Sequence, residues 1–443
     1  MSPSHLDHLL RQIGNTDLVE LTRIMPPGRV RVFAKLEMNN LTGSVKDRPA
    51  LNIIEEAEKS GRLLPGKTVL ESTSGNTGIA LAAIGRAKGY HVKLVLPETV
   101  SRERKELLTR FGAEIVLSSG MEGADGAYRL ANRLFEQEGD TCFKADQYGN
   151  PDNPAAHCRT TGEEIWQQTD GQVTHFVAAT GTSGILMGTA RRLKAHNPDI
   201  KIFGAQPAEE MHGVEGLKNY EVEMVPAIYD AQLLNGTIRI TTDDAYDMAV
   251  RLAREERLFT GPSAGLNVCA ALKLAADLDE GVIVTVLPDS GYRYVSAGLF
   301  PEELFDVHFS SQLMAQVTQH AGEGYPHEVC GLLVGRIEEH QKIVTRIYPC
   351  ENINEERARD RFEIDPRQYL TLTNELKDDE AIIGIYHSHP DHPSRPSPTD
   401  LSRAFPVYSY LIAATIGSAV SSARSWILNE EKGRFEEEFI KIS

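Results

Sequence analysis

From about residue 30 to residue 290, short strand-like runs alternate with helix-like stretches. This alternation constrains the fold of the 443-residue chain more than any other feature. Residues 30–36 (VRVFAKL) read as a strand and 49–59 as a helix. The series continues with a strand at 68–70, a helix at 78–88, a strand at 92–96, a helix ending at 110 and a strand at 113–117. Residues 175–178, 186–195 and 282–287 extend it as strand, helix and strand. Such alternation predicts an α/β fold of parallel sheets with helices on both faces.

Near residue 300 the pattern restarts. The segment LFPEELFDVHFS carries a proline and acidic residues and reads as a junction, dividing the chain into 1–303 and 304–443. Beyond it an amphipathic helix at 310–321 precedes strand-like runs at 330–335, 342–348 and 381–386, which predicts a second, smaller α/β domain. Residues 390–398 (PDHPSRPSP) read as a rigid, non-helical loop.

The net charge of −17 argues against nucleic acid, whose phosphates call for a basic surface. No apolar run approaches the roughly 20 residues of a membrane span. The opening MSPSHLDHLLRQIG has no signal-peptide pattern. Five cysteines without a CxxC pair fit reduced thiols. A cytoplasmic protein is expected.

Three strand-to-helix turns carry the chemistry of the first part. Thr42-Gly43-Ser44-Val45-Lys46-Asp47-Arg48 puts a lysine at a helix start, where unpaired backbone N–H groups and the helix dipole lower an amine pKa and favour Schiff-base chemistry. Glu71-Ser72-Thr73-Ser74-Gly75-Asn76-Thr77-Gly78 is dense in donors and suits a carboxylate. Ala179-Thr180-Gly181-Thr182-Ser183-Gly184 suits a phosphate, yet lacks the nucleotide P-loop pattern. Gly261-Pro262-Ser263-Ala264-Gly265 opens a further helix.

Together, and in this order, these segments resemble the cysteine synthase family of pyridoxal-phosphate (PLP) enzymes. GNTDLVEL (14–21), with Asp17 where proline is usual, and PDSGYRY (288–294) support the resemblance, which covers nearly all of 8–300. It implies the two-lobed architecture called fold type II. It implies that Lys46 bonds the cofactor and that Thr73, Ser74, Gly75, Asn76 and Thr77 close on the substrate carboxylate, with Asn76 also reaching the cofactor ring. Gly181, Thr182, Ser183 and Gly184 would hold the phosphate, with Ile185, where threonine is usual, offering only its backbone. Ser263 would face the pyridine nitrogen, and this neutral partner suits β-replacement on a 3-substituted serine. Lys218 stands where relatives that use O-phosphoserine carry arginine. It leaves O-phosphoserine and O-acetylserine both open as substrates. A homodimer is the family's usual form.

In the second part, His387-Ser388-His389 follows an apolar run. Residues i and i+2 of a strand face one side, so both imidazoles can reach one metal ion. Asp400 supplies a third ligand and leaves a fourth place for water, as in catalytic zinc sites. Glu328 can take a proton from that water, and Ser397 can stabilise an oxyanion. HxHx7SxxD with the upstream glutamate resembles the JAMM (MPN+) zinc metallopeptidases over 307 to about 435. These cleave amide bonds after the Gly-Gly tail of ubiquitin-like proteins. His392 reads as a surface residue.

Some cysteine synthases take sulfur from a ubiquitin-fold carrier with a Gly-Gly thiocarboxylate, which leaves cysteine amide-linked to the carrier. The resemblances imply that the second part releases it. The alternatives are a sulfide-using synthase fused to an isopeptidase for other adducts, a carrier-binding module that does not cleave, and a dehydratase or cystathionine synthase.

Overall fold

The computed structural model describes residues 10–443 except 26–27, 74, 101–104, 106–107, 296, 302–303, 339–340 and 378, and of 124–125 only the backbone. The first nine residues of the opening segment, parts of the helix expected before 110, and 302–303 of the junction therefore lie outside the described residues. The chain divides into two units, Met1–Leu299 and Phe300–Ser443.

The first unit holds two sheets. The larger orders its strands Leu18–Glu20, Val30–Lys35, Gly281–Val286, His175–Ala179, Lys201–Pro207 and Gly236–Ile240. All neighbours pair in parallel except the first two. The smaller orders Glu114–Ser118, His91–Pro97, Thr68–Ser72 and Cys142–Lys144, all parallel. Near-continuous apolar runs such as Phe176, Val177 and Ala178 are buried on both faces, as parallel strands require. The two-lobed α/β expectation holds.

The crossover helices follow from spacing. In Asp47–Lys59 the buried residues Ala50, Ile53, Ile54 and Ala57 recur at helical period and form one apolar stripe. Asn76–Lys88 ends on Gly89, whose φ of 83° places it in the left-handed region that glycine tolerates. Because the strands run in parallel, the turns that follow them gather at their carboxyl ends, where open α/β sheets bind ligands.

A buried ionic network holds the start of the Lys46 helix. Arg48 contacts Glu37 at 2.7 Å and Glu164 at 2.6 Å, and Lys35 contacts Glu164 at 2.7 Å. Thr16 Oγ1 donates to Glu37 Oε1 at 2.8 Å. Arg48 holds the Glu37 carboxyl below its usual range despite full burial.

The second unit is built on an eight-stranded, mostly antiparallel sheet. Its order is Arg434–Glu438, Ala419–Asn429, Ser409–Ile416, Ala381–Pro390, Cys330–Glu338, Gln341–Cys350, Val307–Phe309 and Ile440–Ile442. The helix Ser311–Gly324 packs Met314, Val317 and Ala321 inward. Most elements run a few residues beyond expectation, and two differences bear on the histidine segment. The strand expected to end at 386 runs on to Pro390, and Pro398 heads the helix Pro398–Arg403 instead of ending a loop. Proline fits the first helical position because its missing N–H would have no partner there.

All five cysteines are free thiols. Among the described residues no helix is long and apolar enough to cross a membrane. Replacing Arg48 by methionine strands Glu37 as an uncompensated buried charge. Urea unfolding should report a loss of roughly 3–5 kcal/mol from the first unit.

Candidate active sites

Lys46 precedes the helix Asp47–Lys59 in helical conformation. The Asp47 carboxylate ties the turn by accepting from the Thr42 N–H at 2.5 Å and from the Thr42 hydroxyl. Burial pushes Asp47 up to about 6. Burial also draws the Lys46 amine below its usual range, opposed by the charge of Asp289. Among the described residues Lys46 Nζ makes no hydrogen bond.

The second turn leaves the strand Thr68–Ser72 and enters the helix at Asn76. Asn76 Nδ2 donates to Asp289 Oδ2 at 2.7 Å, and Thr77 Oγ1 to Gln147 Oε1 at 2.6 Å. Thr73 Oγ1 accepts from the Gly75 N–H at 3.3 Å. Ser74 lies outside the described residues. Glu71 accepts the N–H groups of Ser72 and Gln147 at 2.8 and 3.0 Å, and burial pushes it up to about 7.

The third turn leaves His175–Ala179 and enters the helix Gly184–His196 through Ser183 at a φ of 61°. A Cβ on Gly184 would fall 1.9 Å from Asn153 Oδ1, and one on Gly181 2.5 Å from the Gly216 carbonyl oxygen. Ile185 packs its side chain against the apolar cluster of Phe176 and Leu186, so only its backbone serves the turn. Ser263 is buried at the second position of the helix Pro262–Ala276. Its hydroxyl makes no hydrogen bond among the described residues. The Lys218 N–H donates to the Thr180 carbonyl at 2.8 Å, and its amine lies 3.4 Å from Glu223.

In the second unit the strand Ala381–Pro390 carries His387 and His389 on one face. Their Nε2 atoms are 3.0 Å apart. Asp400 lies 3.4 Å from His387 and 3.6 Å from His389. The ligand atoms of all three converge within 4.8 Å. His389 Nδ1 donates to the Pro393 carbonyl at 2.8 Å, which leaves Nε2 a lone pair. Two facing imidazoles and a carboxylate form a donor set that suits a divalent cation. Burial pushes His387 down to about 3; at His389 burial also lowers, but Asp400, Glu328 and the Pro393 carbonyl together outweigh it and raise the imidazole.

Asp400 is delivered by a capping box. Ser397 Oγ accepts from the Asp400 N–H at 3.2 Å, and the Asp400 carboxylate accepts from the Ser397 N–H at 2.6 Å. Ser397 thus also positions the Asp400 carboxylate. Glu328 is buried and pushed up to about 8 by desolvation, with Asp400 adding and His389 opposing. His392 is exposed.

Residues 9–289 match the family of pyridoxal-phosphate dependent enzymes. The chain belongs to that family. Its first unit is cysteine-synthase-like. A cysteine synthase of Aquifex aeolicus is 46% identical over 302 residues, spanning 67% of this chain and 92% of that protein. Cysteine synthase B of Escherichia coli is 45% identical over 301 residues, spanning 67% and 97%. The crystal structure of a cysteine synthase from Entamoeba histolytica superposes with a TM-score of 0.63 at 39% identity, covering 66% of this chain and 89% of that one. An O-acetylserine dependent cystathionine β-synthase from Helicobacter pylori gives 0.61 at 33%, covering 65% and 96%. Residues 310–429 match the prokaryotic homologs of the JAB domain, a JAMM-like match. A cysteine-synthase-like PLP enzyme is fused to a JAB-like domain.

Sequence reasoning missed several neighbours of the Lys46 cradle and of the His387, His389 and Asp400 cluster. Tyr220 donates to the Gly181 carbonyl at 2.9 Å and bonds Ser183 Oγ at 2.6 Å. Ser388 Oγ accepts from the Val329 N–H at 2.9 Å and so ties the histidine strand to the Glu328 segment. Phe362 stacks on His387, ring centroids 4.6 Å apart. Only Ser388 lay within a recognised motif. Tyr220→Phe should weaken PLP binding about threefold to tenfold, the loss of one neutral hydrogen bond, in an equilibrium titration of the full chain.

Proposed function

We propose that the chain makes cysteine on a sulfur carrier and then cuts it free. The observation that supports this reading is that one polypeptide, a member of the PLP enzyme family, carries both a lysine, Lys46, whose amine makes no hydrogen bond among the described residues and a convergent cluster of His387, His389 and Asp400, of which His389 and Asp400 act by charge on the buried Glu328.

The first site fits PLP on its own polar groups. Asp289 Oδ1 and Thr260 Oγ1 are buried without partners, Lys46 Nζ and Ser263 Oγ make no hydrogen bond among the described residues, and the Gly181–Gly184 turn admits no side chain at either end. In this reading Lys46 holds the cofactor covalently, Gly181, Thr182, Ser183, Gly184 and the backbone of Ile185 hold its phosphate, and Ser263 faces its ring nitrogen. Bound PLP supplies the electron sink for loss of a β-substituent and addition of sulfur. The protein does the rest. Thr73, Ser74, Gly75, Asn76 and Thr77 hold the substrate carboxylate. Lys46, once freed, takes the Cα proton.

Lys218 would meet the leaving group of a phosphorylated serine. Its contact with Glu223 leaves ammonium donors to spare, so O-phosphoserine is the favoured substrate and O-acetylserine the alternative. Lys218→Ala should raise KM for O-phosphoserine more than tenfold, and that for O-acetylserine less than about threefold. Equal losses on both sink the assignment.

In the second unit His387, His389 and Asp400 would hold zinc. Bound zinc supplies Lewis-acid polarisation and acidifies water. Glu328 takes the proton of the attacking water and returns it to the leaving amine, and Ser397 steadies the oxyanion. The partner is a small ubiquitin-fold carrier with a Gly-Gly tail, and fusion raises the effective concentration of the second site for the first one's product. A cytoplasmic homodimer completes the proposal.

The test is mass spectrometry of carrier thiocarboxylate incubated with the full chain, zinc and a 3-substituted serine. Glu328→Gln should accumulate carrier plus cysteine, and wild type should not. No adduct in either, with turnover of free sulfide, favours the sulfide-using alternative.

A further inference from the structure

The segment 288–290 threads between two of the turns already described. The Val45 N–H donates to the Pro288 carbonyl at 2.8 Å, and Ser44 bridges Asp289 in antiparallel fashion. On the other side the Gly261 N–H donates to the Asp289 carbonyl at 3.2 Å, and Thr260 bridges Ser290. The backbone of Asp289 thus ties the Lys46 turn to the Ser263 turn.

Its side chain adds a third element. Asp289 is 2% exposed. Oδ2 accepts from Asn76 Nδ2 at 2.7 Å and from the Tyr294 hydroxyl at 2.9 Å. Oδ1 is buried and has no hydrogen-bond partner. The carboxylate lies so close to the Gly261 backbone that a Cβ there would fall 2.4 Å from Oδ1. A buried carboxylate normally fills both oxygens, because an unmet acceptor loses its water without compensation.

We propose that Asp289 is the positioning residue of the PLP site, holding the Asn76 amide in one orientation while its free oxygen lies against the Gly261 backbone. The inference rests on the reading of Lys46 and Asn76 given above. An amide has two N–H donors and one carbonyl. With one donor committed to a carboxylate, the flipped amide is excluded, because its carbonyl would face an anion. The second donor is then held toward the cofactor. Asp289 acts through Asn76, and that action requires no contact with substrate.

Asp289→Asn tests this in the full chain, with Asn76→Ala and the double variant beside it. The readouts are the PLP dissociation constant, the absorption maximum of bound PLP and the melting temperature without PLP. Asp289→Asn should weaken PLP about tenfold, the scale of one charge-assisted hydrogen bond, and shift the absorption maximum. In the Asn76→Ala background its effect on affinity should fall below about twofold, as coupled groups require. Fully additive losses, or a lowered melting temperature with unchanged affinity and spectrum, overturn the proposal. If Asn76→Ala itself binds PLP with wild-type affinity and spectrum, the reading of the site fails and the proposal with it. If Asp289→Asn does not fold, Tyr294→Phe loosens the same carboxylate. A spectral shift in the same direction is expected, and an unchanged spectrum overturns the proposal.

Discussion

A backbone N–H at a helix start has no partner inside the helix, and both centres are built on that constraint. In the first unit parallel strands deliver three helix starts, at Asp47, Asn76 and Gly184, to the carboxyl ends of the sheets. Each is a concentration of donors that an anionic cofactor or substrate can satisfy. In the second unit the helix start at Pro398 is satisfied internally. Ser397 and Asp400 cap each other, and the cap that ends one orphan donor also aims a carboxylate at two histidines. One physical need therefore yields a ligand cradle in one place and a carboxylate pre-oriented beside two histidines in the other.

The surroundings divide into groups that are fully satisfied and groups that are not. Arg48, Glu37, Lys35 and Glu164 satisfy one another and hold the Lys46 helix without facing the cradle's open groups. Asp289 Oδ1 and Thr260 Oγ1 remain unmet although buried. Buried polar atoms are rarely orphaned in native proteins, and these two lie on the paired segments that join the Lys46 turn to the Ser263 turn.

The side chains proposed as catalytic were legible in the sequence because each sits in a short segment with its own period. A strand puts His387 and His389 on one face by alternation alone, and Ser397 and Asp400 stand one helical turn apart. Lys46 and the Gly181–Gly184 turn announce themselves as strand-to-helix joints. What holds these segments was not legible. Asn76 and Asp289 are 213 positions apart, Arg48 and Glu164 116, and Ser183 and Tyr220 37. No local pattern encodes those pairings. The end of the histidine strand was placed early for a related reason. Its polar tail, His387 to Pro390, is buried by pairing with Ile412–Thr415, a contact that apolar patterning does not register. The backbone contacts of Pro288 and Asp289 likewise turn a motif noted only for resemblance into a junction of two turns.

In the proposed reading the fusion gains its meaning from the chemistry of the two sites. A β-replacement that takes sulfur from a Gly-Gly tail ends with an amide that the first site cannot cleave. A metal site with a buried glutamate is suited to that hydrolysis. The most direct measurement is the time course of free cysteine from carrier thiocarboxylate and O-phosphoserine at dilute enzyme. Wild type is compared with an equimolar mixture of Lys46→Ala and Glu328→Gln chains. Consecutive steps in one chain predict immediate cysteine release by wild type and a lag in the mixture that shortens with concentration. Identical time courses, or no cysteine released from the carrier by wild type, would contradict it.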